Sequence, residues 1–405
     1  MKKLLEKVSC YEEIELSEME RKISSGKIVV PVNNKRKHIS MPAAIGEGMK
    51  VKVNANIGGS PDISDVDEEI NKLKAAVEHG ADTVMDLTIG KEWEKILKII
   101  LEKSDVPVGT VPIYAAVCDF GIKDLDENQI IDVIEKQAEL GVDFMTIHAG
   151  VTQKTADIYD KSQRKGGIVS RGGKLLYRWM KQNKKENPLY SNFDKIMEIA
   201  SKYNVTISLG DGLRPGCISD ACDAPQYAEL EVSGELTEKC RDRNIQVMVE
   251  GPGHVPLDKI EENVIKEKQI CKGAPFYVLG PLTCDIGAGH DHITGAIGGA
   301  FAAWKGADFL CYLTPAEHLH LPDINDVVAG VIATKIAAHS ANIAKGMKKE
   351  RDDKMSVARR KLDWGKMERY ALDHSSVRKM RKKYPERKDR ACTMCGEFCA
   401  LLDTE

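Results

Sequence analysis

Eight short runs rich in β-branched and other apolar residues recur along the chain, and their spacing restricts the folds open to it. They are VKVNANI (51–57), ADTVMDL (81–87), VPVGTVPI (106–113), VDFMTIHAG (142–150), VTISLG (205–210), QVMVEG (246–251), FYVLG (276–280) and DFLCYL (308–313). Most intervals between them carry helical periodicity, as in DVDEEINKLKAAVEHG (65–80), ENQIIDVIEKQAELG (127–141) and DKIEENVIKEKQIC (258–271). Repeated strand and helix units of this kind predict an α/β chain whose parallel strands close into a (β/α)8, TIM-like barrel. An open doubly wound sheet is the alternative. It has little support, because no G-x-G-x-x-G follows the first strand and NANIGGS lacks that spacing. The expected division is an N-terminal arm over 1–50, the barrel over 51–345, and a helical linker with a C-terminal tail over 346–405.

A barrel collects its chemistry where its strands end. Polar residues stand at those positions: Asn56, then Met85 with Asp86, Tyr114, His148, Asp211 with Arg214, Glu250 with His254, Tyr277, and finally Cys311 leading to His318 and His320. The interval 150–200 is long for one unit, and its QRKGGIVSRGGK (163–174) reads as a Gly-rich functional loop before the helix NFDKIMEIASKY (192–203). Within it, Ser170, Arg171, Gly172 and Gly173 offer backbone N–H groups and a fixed positive charge, the needs of a phosphate. DGLRPG adds a second arginine beside an aspartate. The ligand class implied is a sugar phosphate or a nucleotide-like molecule. His254 and His318 follow different strands and can converge across the barrel mouth on a divalent metal, with general-base or structural roles as the alternatives.

With 405 residues, 42% of them apolar, the chain can build a sizeable core, and a formal charge of −3 gives no global reason to expect nucleic acid or a membrane surface. No run of about 18 uninterrupted apolar residues and no charged-then-apolar leader is seen, so the expectation is a cytoplasmic protein. The basic run VRKMRKKYPERKDR (377–390) is read as a solvated face or linker. Eleven cysteines make an odd number, and eight are scattered, which argues against a disulfide framework. The exception is ACTMCGEFCA (391–400), which gathers Cys392, Cys395 and Cys399. Three thiolates are one short of an ordinary structural zinc or iron–sulfur site, and leave a metal open to an exogenous ligand. A zinc knuckle completed from a distance and a C-x-x-C redox pair are the other readings.

Several long stretches, in order from about residue 50 to the C-terminus, resemble the ThiC-type radical S-adenosylmethionine enzymes. They include VNANIG, DTVMDL, GTVPIY, TIHAGV, GIVSRGG, SLGDGLRPG, VMVEGPGHVP, APFYVLGPL, LCYLTPAEHL and the terminal CTMCGEFCA. The resemblance implies a barrel that binds 5-aminoimidazole ribotide through Asn56, Met85, Tyr114, His148, Ser170, Arg171, Gly172, Asp211, Gly212, Leu213, Arg214, Glu250 and Tyr277. It implies zinc or another divalent metal on His254 and His318. Cys392, Cys395 and Cys399 would hold a [4Fe-4S] cluster whose open iron binds S-adenosylmethionine, and an electron donor would then allow formation of a 5′-deoxyadenosyl radical. Glu250 is a candidate catalytic group and Cys311 a candidate hydrogen donor, against its reading as a buried strand cysteine. A homodimer is expected.

Two products are known from this superfamily on the same substrate: the thiamine pyrimidine phosphate and 5-hydroxybenzimidazole, a lower-ligand base of cobamides. The pyrimidine branch usually reads VPIYQA and TDIAPGYDHI, whereas this chain has VPIYAA with Ala115, and CDIGAGHDHI with Cys284, Gly287, Ala288 and His290. These departures change donors and volume beside the expected substrate strands, which puts 5-hydroxybenzimidazole first and the pyrimidine second. A non-catalytic ribotide-binding paralogue and a zinc-dependent barrel hydrolase are the readings from other classes. The first leaves the retained cysteines without a purpose, as does the second.

Overall fold

The computed structural model describes residues 2–36, 39–63, 65–347, 349–384 and 390–402, and the chain forms two compact units, Met1–Asn342 and Ile343–Glu405. Residues 1, 37 and 38 of the expected arm, 348 and 403–405 of the expected tail, and 385–389 of the basic run lie outside the described residues.

In the first unit two short strands, β1 (Ile28–Val29) and β2 (Ile45–Gly46), pair antiparallel ahead of the barrel. The barrel strands follow as β3 (Lys52–Ile57), β4 (Thr83–Asp86), β5 (Val108–Thr110), β6 (Phe144–Ile147), β7 (Thr206–Leu209), β8 (Val247–Gly251), β9 (Phe276–Leu279) and β10 (Phe309–Cys311). They close in the order β10-β3-β4-β5-β6-β7-β8-β9, every neighbour parallel. The expected barrel is therefore present.

Each apolar run supplies one strand, but several strands stop sooner than their runs. In VPVGTVPI the strand ends at Thr110, and Pro112 opens the helix Pro112–Asp124. Proline suits a first helical turn, where its φ is already set and a missing N–H costs nothing. Tyr114 thereby moves from a strand end to a helix N-terminus. The segment 163–174 is likewise only partly loop. Ser170 caps the helix Arg171–Asn183 by accepting from the Gly173 N–H at 3.1 Å, so Arg171, Gly172 and Gly173 form its first turn.

Alternate residues of a barrel strand face inward. On β3 these are Lys52, Asn54 and Asn56. Lys52 pairs with Glu12 at 2.8 Å, Asn54 donates to the Tyr277 hydroxyl and accepts from Thr83, both at 2.8 Å, and Asn56 reaches the Cys311 sulfur at 3.2 Å. Phe309 stacks on Tyr277 with centroids 4.1 Å apart and meets Phe144 edge-on at 6.4 Å. Gly109 on β5 makes room for this packing, because a Cβ there would collide with the Phe144 ring.

The N-terminal residues close the lower end. The helices Lys2–Glu12 and Leu16–Ser24 bury Val8, Met19, Ile28, Val30, Val32 and Met49 in a core of their own. Beyond them, the Val30 N–H donates to Gln246 at 2.6 Å and the Asn33 N–H to Asp143 at 2.9 Å, just before β8 and β6 begin. On the outside, the helix Ile324–Ala344 is long and apolar enough to cross a membrane. Its Val327, Val331, Ala337, Ala338 and Ala341 are instead buried in the barrel's core cluster, the seat of an outer barrel helix.

The second unit contains the helices Glu350–Arg360, Trp364–Tyr370 and His374–Arg381, followed by the cysteine segment. Trp364 organises it. Its indole donates to the Arg390 carbonyl at 2.8 Å while the Arg381 guanidinium lies 4.0 Å from the ring centroid.

Candidate functional site

The C-terminal strand ends surround a cavity of about 1030 Å³. Asn56, Met85, Tyr114, His148, Arg171, Asp211, Arg214, Glu250, His254, Tyr277, Cys311 and His318 all line it. Ser170, Gly172, Gly212 and Leu213 do not; they stand behind the lining and shape it. Ser170 caps the helix, the Leu213 N–H donates to Glu229 at 2.6 Å, and a Cβ at Gly212 would strike Val151.

His148 is fitted between glycines. A side chain at Gly172 would enter its ring, and one at Gly210 would come within 2.8 Å of it. Its Nε2 lies 3.2 Å from the Ser170 hydroxyl, while its buried Nδ1 has no hydrogen-bond partner among the described residues. Burial, reinforced by the Arg214 charge, lowers its pKa to about 3 and keeps the imidazole neutral. Tyr114 is drawn to the same turn, with Arg171 5.1 Å from its ring centroid.

The acids opposite are held differently. Glu250 accepts from Thr146 at 2.6 Å and Ser208 at 2.8 Å, and burial raises its pKa despite those bonds. Asp211 meets Arg214 at 3.1 Å through one oxygen and leaves the other unpaired among the described residues; burial pushes its pKa up to about 7. Cys311 accepts from Asn56, and burial raises its pKa to about 12, so it stays a thiol.

His254 and His318 do converge. Their ring centroids are 5.7 Å apart, and each Nδ1 faces a carboxylate, His254 on Asp285 at 2.9 Å and His318 on Asp291 at 3.0 Å. With Nδ1 turned to a carboxylate in each ring, both Nε2 atoms are left without a hydrogen-bond partner among the described residues, a donor pair that fits a divalent cation. In the second unit Cys392, Cys395 and Cys399 share one tight turn, closed by Gly396 N–H to Cys392 O at 2.9 Å and Cys399 N–H to Gly396 O at 3.2 Å. The Cys395 thiol is raised by desolvation and then by the charges of Cys392 and Cys399, whereas backbone N–H groups lower Cys392. Three thiols so gathered fit an iron–sulfur cluster. Among the described residues, no three His, Cys, Asp or Glu side chains are already drawn to ion-holding geometry.

Sequence reasoning missed Asp285, Asp291 and Arg164. The first two lay in plain view in CDIGAGHDHI, Asp285 directly after the departure Cys284 and Asp291 directly after the departure His290. Arg164 grips Asp223 through Nε at 2.6 Å and Nη2 at 2.7 Å and donates to the Arg214 carbonyl at 3.2 Å, tying the SRGG segment to DGLRPG. Of the departures themselves, Ala288 lines the cavity, while Ala115 is buried in the core and His290 is exposed.

A model of the Radical SAM ThiC family matches residues 1–405. Curated relatives agree over nearly the whole chain. A Methanopyrus kandleri protein named phosphomethylpyrimidine synthase is 49% identical over 402 residues, 98% of this chain and 94% of its own. A Clostridium acetobutylicum protein of that name is 50% identical over 403 residues, 98% of this chain and 92% of its own. Phosphomethylpyrimidine synthase 2 of Methanothermobacter thermautotrophicus is 49% identical over 404 residues, 98% and 95% respectively.

Proposed function

The chain belongs to the radical SAM ThiC family, and from that premise we infer that it converts 5-aminoimidazole ribotide into the pyrimidine phosphate of thiamine biosynthesis. One observation carries the reading: a single cavity presents Arg171, Arg214, Asp211, Glu250 and Tyr277 together, in a chain 49% identical to proteins named for that product. Ser170 and Arg171 at the helix N-terminus, with Arg214, suit the phosphate. Gly172, Gly212 and Leu213 keep the backbone there close to the ligand. Neutral His148 offers its unpaired Nδ1, and Asp211 accepts hydroxyl or ring N–H groups. Glu250, with its raised pKa, holds or releases a proton beside the ring. Asn56, Met85, Tyr114 and Tyr277 wall the substrate, and the Cys311 thiol supplies hydrogen.

When held by Cys392, Cys395 and Cys399, a [4Fe-4S] cluster with S-adenosylmethionine supplies one-electron radical chemistry. His254 and His318 would hold zinc or another divalent cation. A homodimer and an external electron donor complete the proposal. A second reading, 5-hydroxybenzimidazole formation, keeps one observation in its favour: Ala288 lines the cavity.

Anaerobic incubation of the reconstituted protein with 5-aminoimidazole ribotide and S-adenosylmethionine, followed by mass spectrometry, separates the two. Pyrimidine phosphate with 5′-deoxyadenosine is expected. Benzimidazole in its place moves the chain to the second reading. Neither product, from protein with a full cluster, overturns both in favour of a binding paralogue.

A further inference from the structure

We propose that Asp285 and Asp291 are a matched pair of positioning residues that set the imidazoles of His254 and His318 for one divalent cation. The proposal rests on reading those two histidines as cation ligands. A neutral imidazole has one N–H and one lone pair, so a carboxylate at Nδ1 fixes the N–H there and leaves Nε2 bare and more basic. Both histidines meet this condition, at 2.9 and 3.0 Å. The other histidines on the cavity wall do not: His148 faces the Ser170 hydroxyl, and His320 Nδ1 faces the Leu321 carbonyl.

Each carboxylate is itself fixed. Asp285 accepts from the Ile218 N–H at 3.2 and 3.1 Å, which ties it to the segment following β7. Asp291, 5% exposed, is the first residue of the helix Asp291–Lys305, where the helix dipole favours a negative charge. His318 carries a φ of +63°, a left-handed conformation that a residue with a β-carbon keeps only when its surroundings over-determine it. Because both acids lie on CDIGAGHDHI, one short segment orients ligands that follow different strands.

The test uses the full chain with its cysteine triplet loaded with the [4Fe-4S] cluster, so that Cys392, Cys395 and Cys399 cannot take the metal, and compares Asp285→Asn and Asp291→Asn with wild type in competition for Zn²⁺ against a chromophoric chelator. Each variant is expected to bind Zn²⁺ about 10–100-fold more weakly than the wild type. Unchanged affinity in folded variants overturns the positioning role and leaves the histidine site standing. A wild type that takes up no Zn²⁺ overturns both. Direct ligation by either acid is also excluded by the proposal: the Co²⁺ ligand-field spectrum keeps its coordination number in the variants, and loss of a ligand overturns positioning. Should Asp291→Asn fail to fold, Asp285, 35% exposed, carries the same measurement.

Discussion

At the lower end of the barrel Lys52 meets Glu12 at 2.8 Å and Arg36 meets Asp143 at 3.4 Å, all four side chains closed off from solvent by the N-terminal arm. At the upper end His148 Nδ1 and Asp211 Oδ2 are buried without partners among the described residues. Glu12 Oε1 and Arg36 Nε also lack hydrogen bonds among the described residues, but each faces an opposite charge in its own pair; the neutral His148 Nδ1 and the second oxygen of Asp211 open instead on the cavity, where an incoming molecule can satisfy them. The same strands thus end in a stability layer on one side and a chemical layer on the other.

The comparison breaks first at Glu250. Glu250→Gln is expected to lower turnover about 10²–10⁴-fold with little change in the urea unfolding midpoint. Equal loss of stability and turnover would mean that the two layers are not separate. Lys52→Met should do the reverse, removing about 3–5 kcal/mol of stability by stranding Glu12, whose side chain is fully buried, while the KM for the ribotide holds. Chemical denaturation and steady-state kinetics on one preparation check both halves.

A subtler effect is expected from Glu267, which lines a small cavity with Asp211, Arg214 and Glu250 behind the site. Burial pushes its pKa from 4.5 up to about 8. Between those values the folded chain holds a proton that the unfolded chain has lost, so this group makes stability fall as pH rises. Glu267→Gln should therefore gain stability relative to wild type from pH 5 to pH 8, read from unfolding midpoints. The smallest change is expected at exposed His290: His290→Tyr should alter stability by no more than about 0.5 kcal/mol and leave the product unaltered.

The barrel was legible because strand and helix periodicities are local, and each of the eight runs needed only its own residues to be read. Most cavity residues were legible for a related reason: a strand end is a position in the sequence as well as in space. Tyr114 shows the limit, since Pro112 turned the end of an apparent strand into a helix. Arg164, Asp285 and Asp291 were harder, because their meaning lies in partners 59, 31 and 27 positions away. Nothing in the spacing of those pairs announces a contact. The departures in CDIGAGHDHI drew notice by being unusual, yet the two acids beside them carry the contacts.

The arm that seals the lower end also imposes a waiting time. Val30 is bonded to Gln246, 216 positions later, and Val51 to Asn342, 291 positions later. At about 5–20 residues per second, a ribosome needs about 10–40 s to deliver the first of these partners. For that interval Val8, Met19, Ile28 and Val30 can pack into the arm's own core, but the backbone N–H groups of Val30 and Val51 must stay with water until their barrel partners are made, so the arm can fold before it can dock.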